Sequence, residues 1–264
     1  MVRLTTTTHI PTLSLSSLVI AKLVKIFKNA ENSSSPCRDL VLRSLDWYIL
    51  PLLNPDGYEF SHSQDRFWRK NRRPPGQDEK CAGVDLNRNF HLGYGLGASR
   101  DSCSEVFQGP GPGSEPETAA LMSLGERLNT SLLYYVSLHA YGQSWLTPWG
   151  FTTEPPANQE EVQAVARAAI SQMECSYGRT VAAREYEVGA AADIYYIAGG
   201  ASDDWFYARL GPRNPRHFLL NSSPGPVPSF ASPSNCQMTG GSSGSCSQQS
   251  WRLRSAPVPG LTRK

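Results

Sequence analysis

Apolar residues recur at helical spacing in three stretches of the chain. They are residues 13–28 ("LSLSSLVIAKLVKIFK"), 114–128 ("SEPETAALMSLGERL") and 158–173. Side chains three and four positions apart share one face of a helix, so each stretch predicts an amphipathic helix with one buried side. In the second stretch Ser114 is the predicted N-cap, and Pro116 stands in the first turn.

Shorter unbroken apolar runs predict buried strands. The run "DWYILPLLN" (46–54) ends in "NPDGY", a turn signal, and "LLYYVSL" (132–138) leads directly to His139. Residues 192–210 are interpreted as a glycine-containing loop followed by a helix that Ser202 caps. Because helices alternate with strands, the pattern favours an α/β sheet protein.

Two segments lack such periodicity. Residues 65–114 are rich in Gly, Pro, Arg and Asn, and a long irregular stretch inside a compact domain usually carries function. Residues 206–264 contain no Asp or Glu and are rich in Ser, Pro, Gly and Arg, which is typical of disorder. We therefore predict a folded domain over residues 1–205 and a disordered tail over 206–264.

Composition excludes several classes of protein. The chain has 264 residues, enough for a sizeable core, and its formal net charge of +2 is too small to argue for a nucleic-acid partner. No run of about 18 apolar residues predicts a membrane span. The sequence therefore predicts neither a nucleic-acid partner nor a membrane partner.

The cysteines favour a secreted protein. None of the six forms a C-x-x-C pair, so scattered disulfides are a better interpretation than a thiolate zinc or redox motif. N-x-S sequons at Asn32, Asn129 and Asn221 point the same way. The first residues do not resemble a signal peptide, since Lys22 interrupts their apolar stretch and no small-residue cleavage site follows.

Candidate chemistry lies at His139 and in two loops. His139 follows a predicted strand, and ligands of open α/β sheets bind beyond the carboxyl ends of strands. Taken by itself, a histidine in this position is more often a structural residue than a metal ligand. The stretches "FWRKNRRP" (67–74) and "GVDLNRNF" (83–90) offer arginine and asparagine donors suited to a carboxylate, although solvated surface arginines are the alternative.

The motifs in their order along the chain suggest a family. "FWRKNRRP", "GVDLNRNF", "SEPET", "SLHAYGQ" and "DIYYIAGGASDDW" together resemble the zinc metallocarboxypeptidases of the pancreatic A/B type, over residues 18–205. The resemblance implies a mixed central sheet flanked by helices, a secreted protein, a zinc cofactor, and peptide or protein C-termini as substrates.

The resemblance also assigns roles to residues that contact the substrate. Asn87 and Arg88 would clamp its C-terminal carboxylate, and Tyr195 would close over it. Arg69 would polarise the scissile carbonyl and stabilise the oxyanion. Tyr141 would line the substrate channel.

Three further features follow from the same resemblance. His139 would be the third zinc ligand, and Cys81 would form a disulfide with Cys103. Asp203 would lie at the floor of the side-chain pocket and select Lys or Arg, as in the B-type enzymes. The alternative is that Asp203 or its neighbour Asp204 is simply an acidic residue in the first turn of a helix.

The sequence departs from the family at both ends of the match. Thr6 and His9 stand where the family carries the His and Glu of its H-x-x-E zinc ligands, with Thr8 in place of an intervening arginine. Beyond Trp205 no carboxylate follows that could act as the general base. We therefore expect the N-terminal and C-terminal parts of the domain to be missing and this chain to be impaired as an enzyme.

Three hypotheses follow for function. The first is a zinc carboxypeptidase that removes C-terminal Lys or Arg. The second is a non-catalytic relative that binds peptide C-termini, and the third is a truncated isoform without function. Zinc binding separates the first from the others, because a catalytic zinc needs three protein ligands and an activated water.

Overall fold

The fold contains five short strands and five helices in the part of the chain that is described. The computed structural model describes residues 2–6, 20–21, 24, 45–128, 131–139, 142–177 and 186–210. The strands are β1 (Val2–Thr6), β2 (Trp47–Leu50), β3 (Tyr134–Leu138), β4 (Ser144–Thr147) and β5 (Glu187–Ala190). The helices are α1 (Pro55–Ser63), α2 (Pro116–Leu128), α3 (Gln159–Tyr177), α4 (Ala191–Ile194) and α5 (Ser202–Leu210).

The strands form two parallel arrangements. β1 lies between β2 and β3 and pairs in parallel with both, while β4 pairs in parallel with β5. In this register Thr6, the last residue of β1, stands opposite Leu138. The carboxyl end of β1 therefore lies beside His139.

The core places α2 and α5 against β3. The ring of Phe206 on α5 stacks on Tyr135 of β3, with ring centroids 3.9 Å apart. Trp205 and Leu121 are buried in the same apolar cluster. Packing of helices on a parallel sheet confirms the predicted α/β class.

The "NPDGY" turn prediction is wrong, because these residues begin a helix. The side chain of Asn54 accepts a hydrogen bond from the N–H of Gly57 at 2.9 Å, and Pro55 occupies the first turn. Asn is a good N-cap and Pro is favoured at the first helical position, so the same letters that favour a turn also start α1.

Other predicted boundaries move by a few residues. α2 begins at Pro116, with Glu115 and not Ser114 in the preceding position. The hydroxyl of Ser202 is buried without a hydrogen-bond partner among the described residues, so it does not cap α5. Strands β4 and β5 were not predicted, because four residues are too few for a clear alternation.

The predicted domain boundary after residue 205 falls inside a helix. α5 continues to Leu210, and both Phe206 and Tyr207 are buried. The remainder of the predicted tail, 211–264, lies outside the described residues. Of the predicted helix over 13–28, only residues 20, 21 and 24 are described, and all three are helical.

The irregular stretch 65–114 is ordered by side chains and by one disulfide. It contains a single turn of 3₁₀ helix at Leu86–Arg88. Cys81 and Cys103 form the predicted disulfide, which closes a loop around that turn. Within the described residues, no helix is long and apolar enough to cross a membrane.

Candidate carboxylate-binding site

Arg88 is the centre of the candidate site. This residue is only 4% exposed. Nη1 donates to the carbonyl oxygen of Asn87 at 2.8 Å, and Nη2 donates to the hydroxyl of Tyr196 at 3.1 Å. Nε has no hydrogen-bond partner among the described residues. Since unpaired buried donors are costly, this guanidinium is suited to receive an anion.

Asp85 holds the side chain of Arg69 and the backbone of the Asn87–Arg88 turn in place. It is buried, and it accepts hydrogen bonds from the N–H of Asn87 at 3.0 Å and from Nε of Arg69 at 2.8 Å. Burial alone would raise the pKa of Asp85, but Arg69 and Arg88 lower this pKa by more, so it lies below its ordinary value. The same carboxylate raises the pKa of Arg69 against the effect of burial.

The double glycine of "AGGASDDW" (Gly199 and Gly200) lets this loop lie directly against Asn87 and Arg88. The N–H of Phe90 donates to the carbonyl oxygen of Gly200 at 3.0 Å, and the N–H of Ser202 donates to Oδ1 of Asn87 at 3.0 Å. Gly200 has φ of +72°, and a Cβ there would lie 2.3 Å from the carbonyl oxygen of Arg88. Only glycine permits both this dihedral angle and this approach.

Two adjacent tyrosines on the loop after α4 point to different partners. The hydroxyl of Tyr195 lies 2.8 Å from Oγ of Ser144, at the start of β4. The hydroxyl of Tyr196 lies at Arg88. The family resemblance assigned the covering role to Tyr195, and the "YY" pair alone carries no signal that separates the two residues.

The two aspartates at the start of α5 also have different surroundings. Asp204 accepts hydrogen bonds from the N–H groups of Gly150 and Phe151, each at 2.9 Å. Asp203 is buried beside Arg88, and burial raises its pKa to about 6 against the opposing effects of its backbone N–H and of Arg88. Burial and the charge of Asp203 raise the pKa of Asp204 well above its ordinary value. Asp204 therefore anchors a loop, which leaves Asp203 as the candidate for the pocket.

His139 lies at the carboxyl end of β3 and is partly buried. Its Nε2 is 2.9 Å from Oγ of Ser137 on the same strand. The predicted channel residue Tyr141 lies outside the described residues, as do Thr8 and His9.

Comparison with known proteins decides the family. The zinc carboxypeptidase family model matches residues 15–227. The chain belongs to the zinc carboxypeptidase family. This confirms the resemblance on which the site residues were assigned.

Relatives in the zinc carboxypeptidase family include enzymes of vertebrates and arthropods. Human carboxypeptidase O is 41% identical over 182 residues, covering 69% of this chain and 46% of that protein. Carboxypeptidase B of Astacus astacus is 34% identical, covering 66% of this chain and 56% of that protein. The chain thus spans about half the length of the curated relatives it matches.

Solved carboxypeptidase structures share the fold. Bovine thrombin-activatable fibrinolysis inhibitor, solved in complex with tick carboxypeptidase inhibitor, superposes with a TM-score of 0.71 at 31% identity. That match covers 84% of this chain and 71% of the other. Carboxypeptidase A from Helicoverpa armigera gives a TM-score of 0.68 at 27% identity, covering 88% and 54%.

The family's zinc does not fit the side chains of the described residues. Catalytic zinc in proteins takes three ligands, usually His, Glu, Asp or Cys. The described residues contain no group of three such side chains that could hold a metal ion. The described side chains therefore supply no zinc-activated water.

Proposed function

We propose that this chain binds the C-terminal carboxylate of peptides that end in Lys or Arg, and that it does so without hydrolysing them. The observation that carries the proposal is the buried guanidinium of Arg88, whose Nε has no hydrogen-bond partner in the described part of the chain. A carboxylate presents two oxygens to a guanidinium, and such charge-assisted pairs are among the stronger hydrogen bonds in proteins. A neutral C-terminal amide would lose this pairing.

Asn87 supports the same role. Its side-chain oxygen already accepts from the backbone of Ser202 at 3.0 Å. The group left to interact with a ligand is therefore its amide NH₂, which donates hydrogen bonds and suits an anion. Asn87 and Arg88 together offer only donors on this side of the site.

Asp203 supports selection of a basic C-terminal residue. The carboxyl is buried close to Arg88, and burial keeps its pKa near 6. A Lys or Arg side chain beside it would favour the ionised form and lower that pKa. The cation of the ligand would supply the counter-charge that a buried carboxylate needs.

The covering role that the sequence suggested for Tyr195 fits Tyr196 better. The hydroxyl of Tyr196 already contacts Arg88, whereas that of Tyr195 contacts Ser144. Tyr196→Phe is therefore expected to weaken peptide binding about threefold to tenfold by removing one donor to the carboxylate. A larger loss in Tyr195→Phe than in Tyr196→Phe would restore the original assignment.

Hydrolysis is the second candidate function. One observation favours it. Arg69 donates from its Nε to Asp85, which also accepts from the N–H of Asn87, and the side chain of Arg69 is 31% exposed. A cation held in this way could stabilise an oxyanion formed next to the bound carboxylate. Without a set of zinc ligands among the described residues, Arg69 alone does not generate a nucleophile.

The test measures binding and chemistry on the same purified chain. Fluorescence polarisation compares a labelled peptide ending in Gly-Lys with its C-terminal amide. We expect the free acid to bind more tightly, and Arg88→Gln to reduce that affinity roughly 10- to 100-fold. Arg127→Gln makes the same charge change at an exposed position of α2 and serves as the control.

Two outcomes would contradict the proposal. Equal affinity for the acid and the amide would show that the carboxylate is not recognised. Near one zinc per chain, together with release of free lysine, would establish the second candidate and place the missing ligands outside the described residues. Secretion of the protein stays a prediction.

A further inference from the structure

A basic stretch that contains no acidic residue precedes the disulfide-closed loop. Residues 66–73 read "RFWRKNRR" and carry five cations in eight positions. Short runs this rich in Lys and Arg are typical of sites that bind polyanions. The tertiary structure determines which of these cations a ligand can use.

Three of the five cations already have partners within the protein. Arg69 pairs with Asp85 at 2.8 Å, Arg73 pairs with Glu79 at 3.1 Å, and Nζ of Lys70 donates to the carbonyl oxygen of Ser102 at 2.6 Å. Arg66 is exposed, and neither Arg66 nor Arg72 forms an ion pair with any residue that the structure describes. These two arginines are therefore the cations that can receive an anion.

The guanidinium of Arg72 is packed on two aromatic rings. Its Cζ lies 3.7 Å from the centroid of the Phe60 ring and 4.5 Å from the centroid of the Trp68 ring. Such contacts fix the face of the guanidinium and leave the N–H donors at its edge for hydrogen bonds. Within the described ranges these donors have no hydrogen-bond acceptor, and the residue is only partly buried. An anion at this edge would bind a group that is already oriented.

An exposed aromatic ring stands between these cations in sequence. Phe67 is 82% exposed, which makes it the most exposed large hydrophobic residue in the described part of the chain. The electron-rich face of an aromatic ring attracts the C–H groups of a sugar ring. A polymer of sugar rings that carries anionic groups therefore matches both the arginines and the exposed ring.

The disulfide indicates which polyanion to expect. Cys81 and Cys103 are bonded, and structural disulfides persist in oxidising compartments and outside the cell. Sulphated polysaccharides are polyanions of that environment, whereas nucleic acids are mainly intracellular. A sulphate group also presents paired oxygens, which suit the two parallel N–H donors at the edge of a guanidinium.

We propose that Arg72, together with Arg66 and the ring of Phe67, forms a binding site for a sulphated polysaccharide. Arg72 holds one sulphate group through its oriented edge, and Arg66 supplies a second cation. The site uses none of the residues assigned to carboxylate binding, so the inference does not depend on the proposed function.

The experiment measures binding of a fluorescein-labelled heparin octasaccharide to the full chain by fluorescence polarisation. We expect binding that weakens as NaCl is raised, and no competition by the fully desulphated octasaccharide. Arg72→Gln should reduce the affinity about tenfold, and Arg66→Gln about threefold. Arg72→Lys keeps the charge but loses the planar donor edge, so it should lose most of the same affinity. Arg167→Gln makes the same charge change at an exposed position of α3 and should bind as the parent does.

Urea unfolding of each variant shows whether it is folded. If Arg72→Gln lacks a cooperative transition, Arg72→Lys and Arg66→Gln decide the result. The inference is overturned if the parent does not bind at physiological salt, if the desulphated octasaccharide competes equally, or if Arg167→Gln loses as much affinity as Arg72→Gln. Parental affinity in Arg72→Lys would also overturn it, because a point charge would then suffice. Tighter binding of a single-stranded DNA octamer would replace it with a nucleic-acid site.

Discussion

Replacing Asp203 by Asn should stabilise the protein at neutral pH while weakening its binding of basic peptides. Asp203 is 6% exposed, and burial raises its pKa from about 3.8 to about 6. A buried carboxylate that lacks a cationic ligand is unfavourable in its ionised form. Asparagine keeps the shape of the side chain and removes the charge.

The magnitude follows from the pKa shift. A shift of roughly two pH units corresponds to about 3 kcal/mol between the two protonation states. Because the pKa is raised in the folded state, the contribution of Asp203 to stability is fully present below about pH 4. It is lost as the pH rises through about 6. Above pH 7 the Asn variant should therefore be more stable than the parent by about 3 kcal/mol, and near pH 4 the difference should vanish.

The assay is urea unfolding followed by tryptophan fluorescence at pH 4, 5, 6, 7 and 8. Asp193→Asn on α4 makes the same charge change at an exposed position and serves as the control. The same two variants are tested for binding of a Gly-Lys peptide, where only Asp203→Asn should weaken the interaction. A stability difference that does not depend on pH, or one that grows toward low pH, would refute the reasoning.

Three further predictions concern the scaffold of the site. Replacing Cys81 and Cys103 together by Ser should lower the free energy of unfolding by about 3 kcal/mol, since the bridge closes a loop with a sequence separation of 22; an unchanged urea midpoint would contradict this. Gly200→Ala should destabilise by at least about 1–2 kcal/mol because of its positive φ, whereas Gly111→Ala, where a Cβ meets nothing within 4 Å, should be tolerated. At pH 4, where the raised pKa of Asp204 adds almost no penalty, Asp204→Ala should destabilise by about 2–4 kcal/mol, because two backbone N–H groups lose their acceptor. Asp203→Asn should leave the urea midpoint unchanged at that pH, so equal midpoints in the two variants would contradict this prediction.

Motif order along the chain was sufficient to identify the family. The Cys81–Cys103 disulfide and the role of Arg88 were both implied by the family resemblance, and the structure contains the disulfide. The start of α1 was not found, since Asn-Pro-Asp-Gly is compatible with both a turn and a capped helix. What decides between them is whether the following residues can pack, and that depends on distant parts of the chain.

The sequence by itself determined the α/β class, the family and the set of polar residues from which a carboxylate site can be made. Only the tertiary structure showed which partners each member of an adjacent pair contacts. Tyr195 or Tyr196, and Asp203 or Asp204, are equivalent in composition and differ by one position. Successive side chains on a helix or loop point in different directions, and the direction is fixed by partners far away in sequence, such as Gly150 for Asp204 and Arg88 for Tyr196.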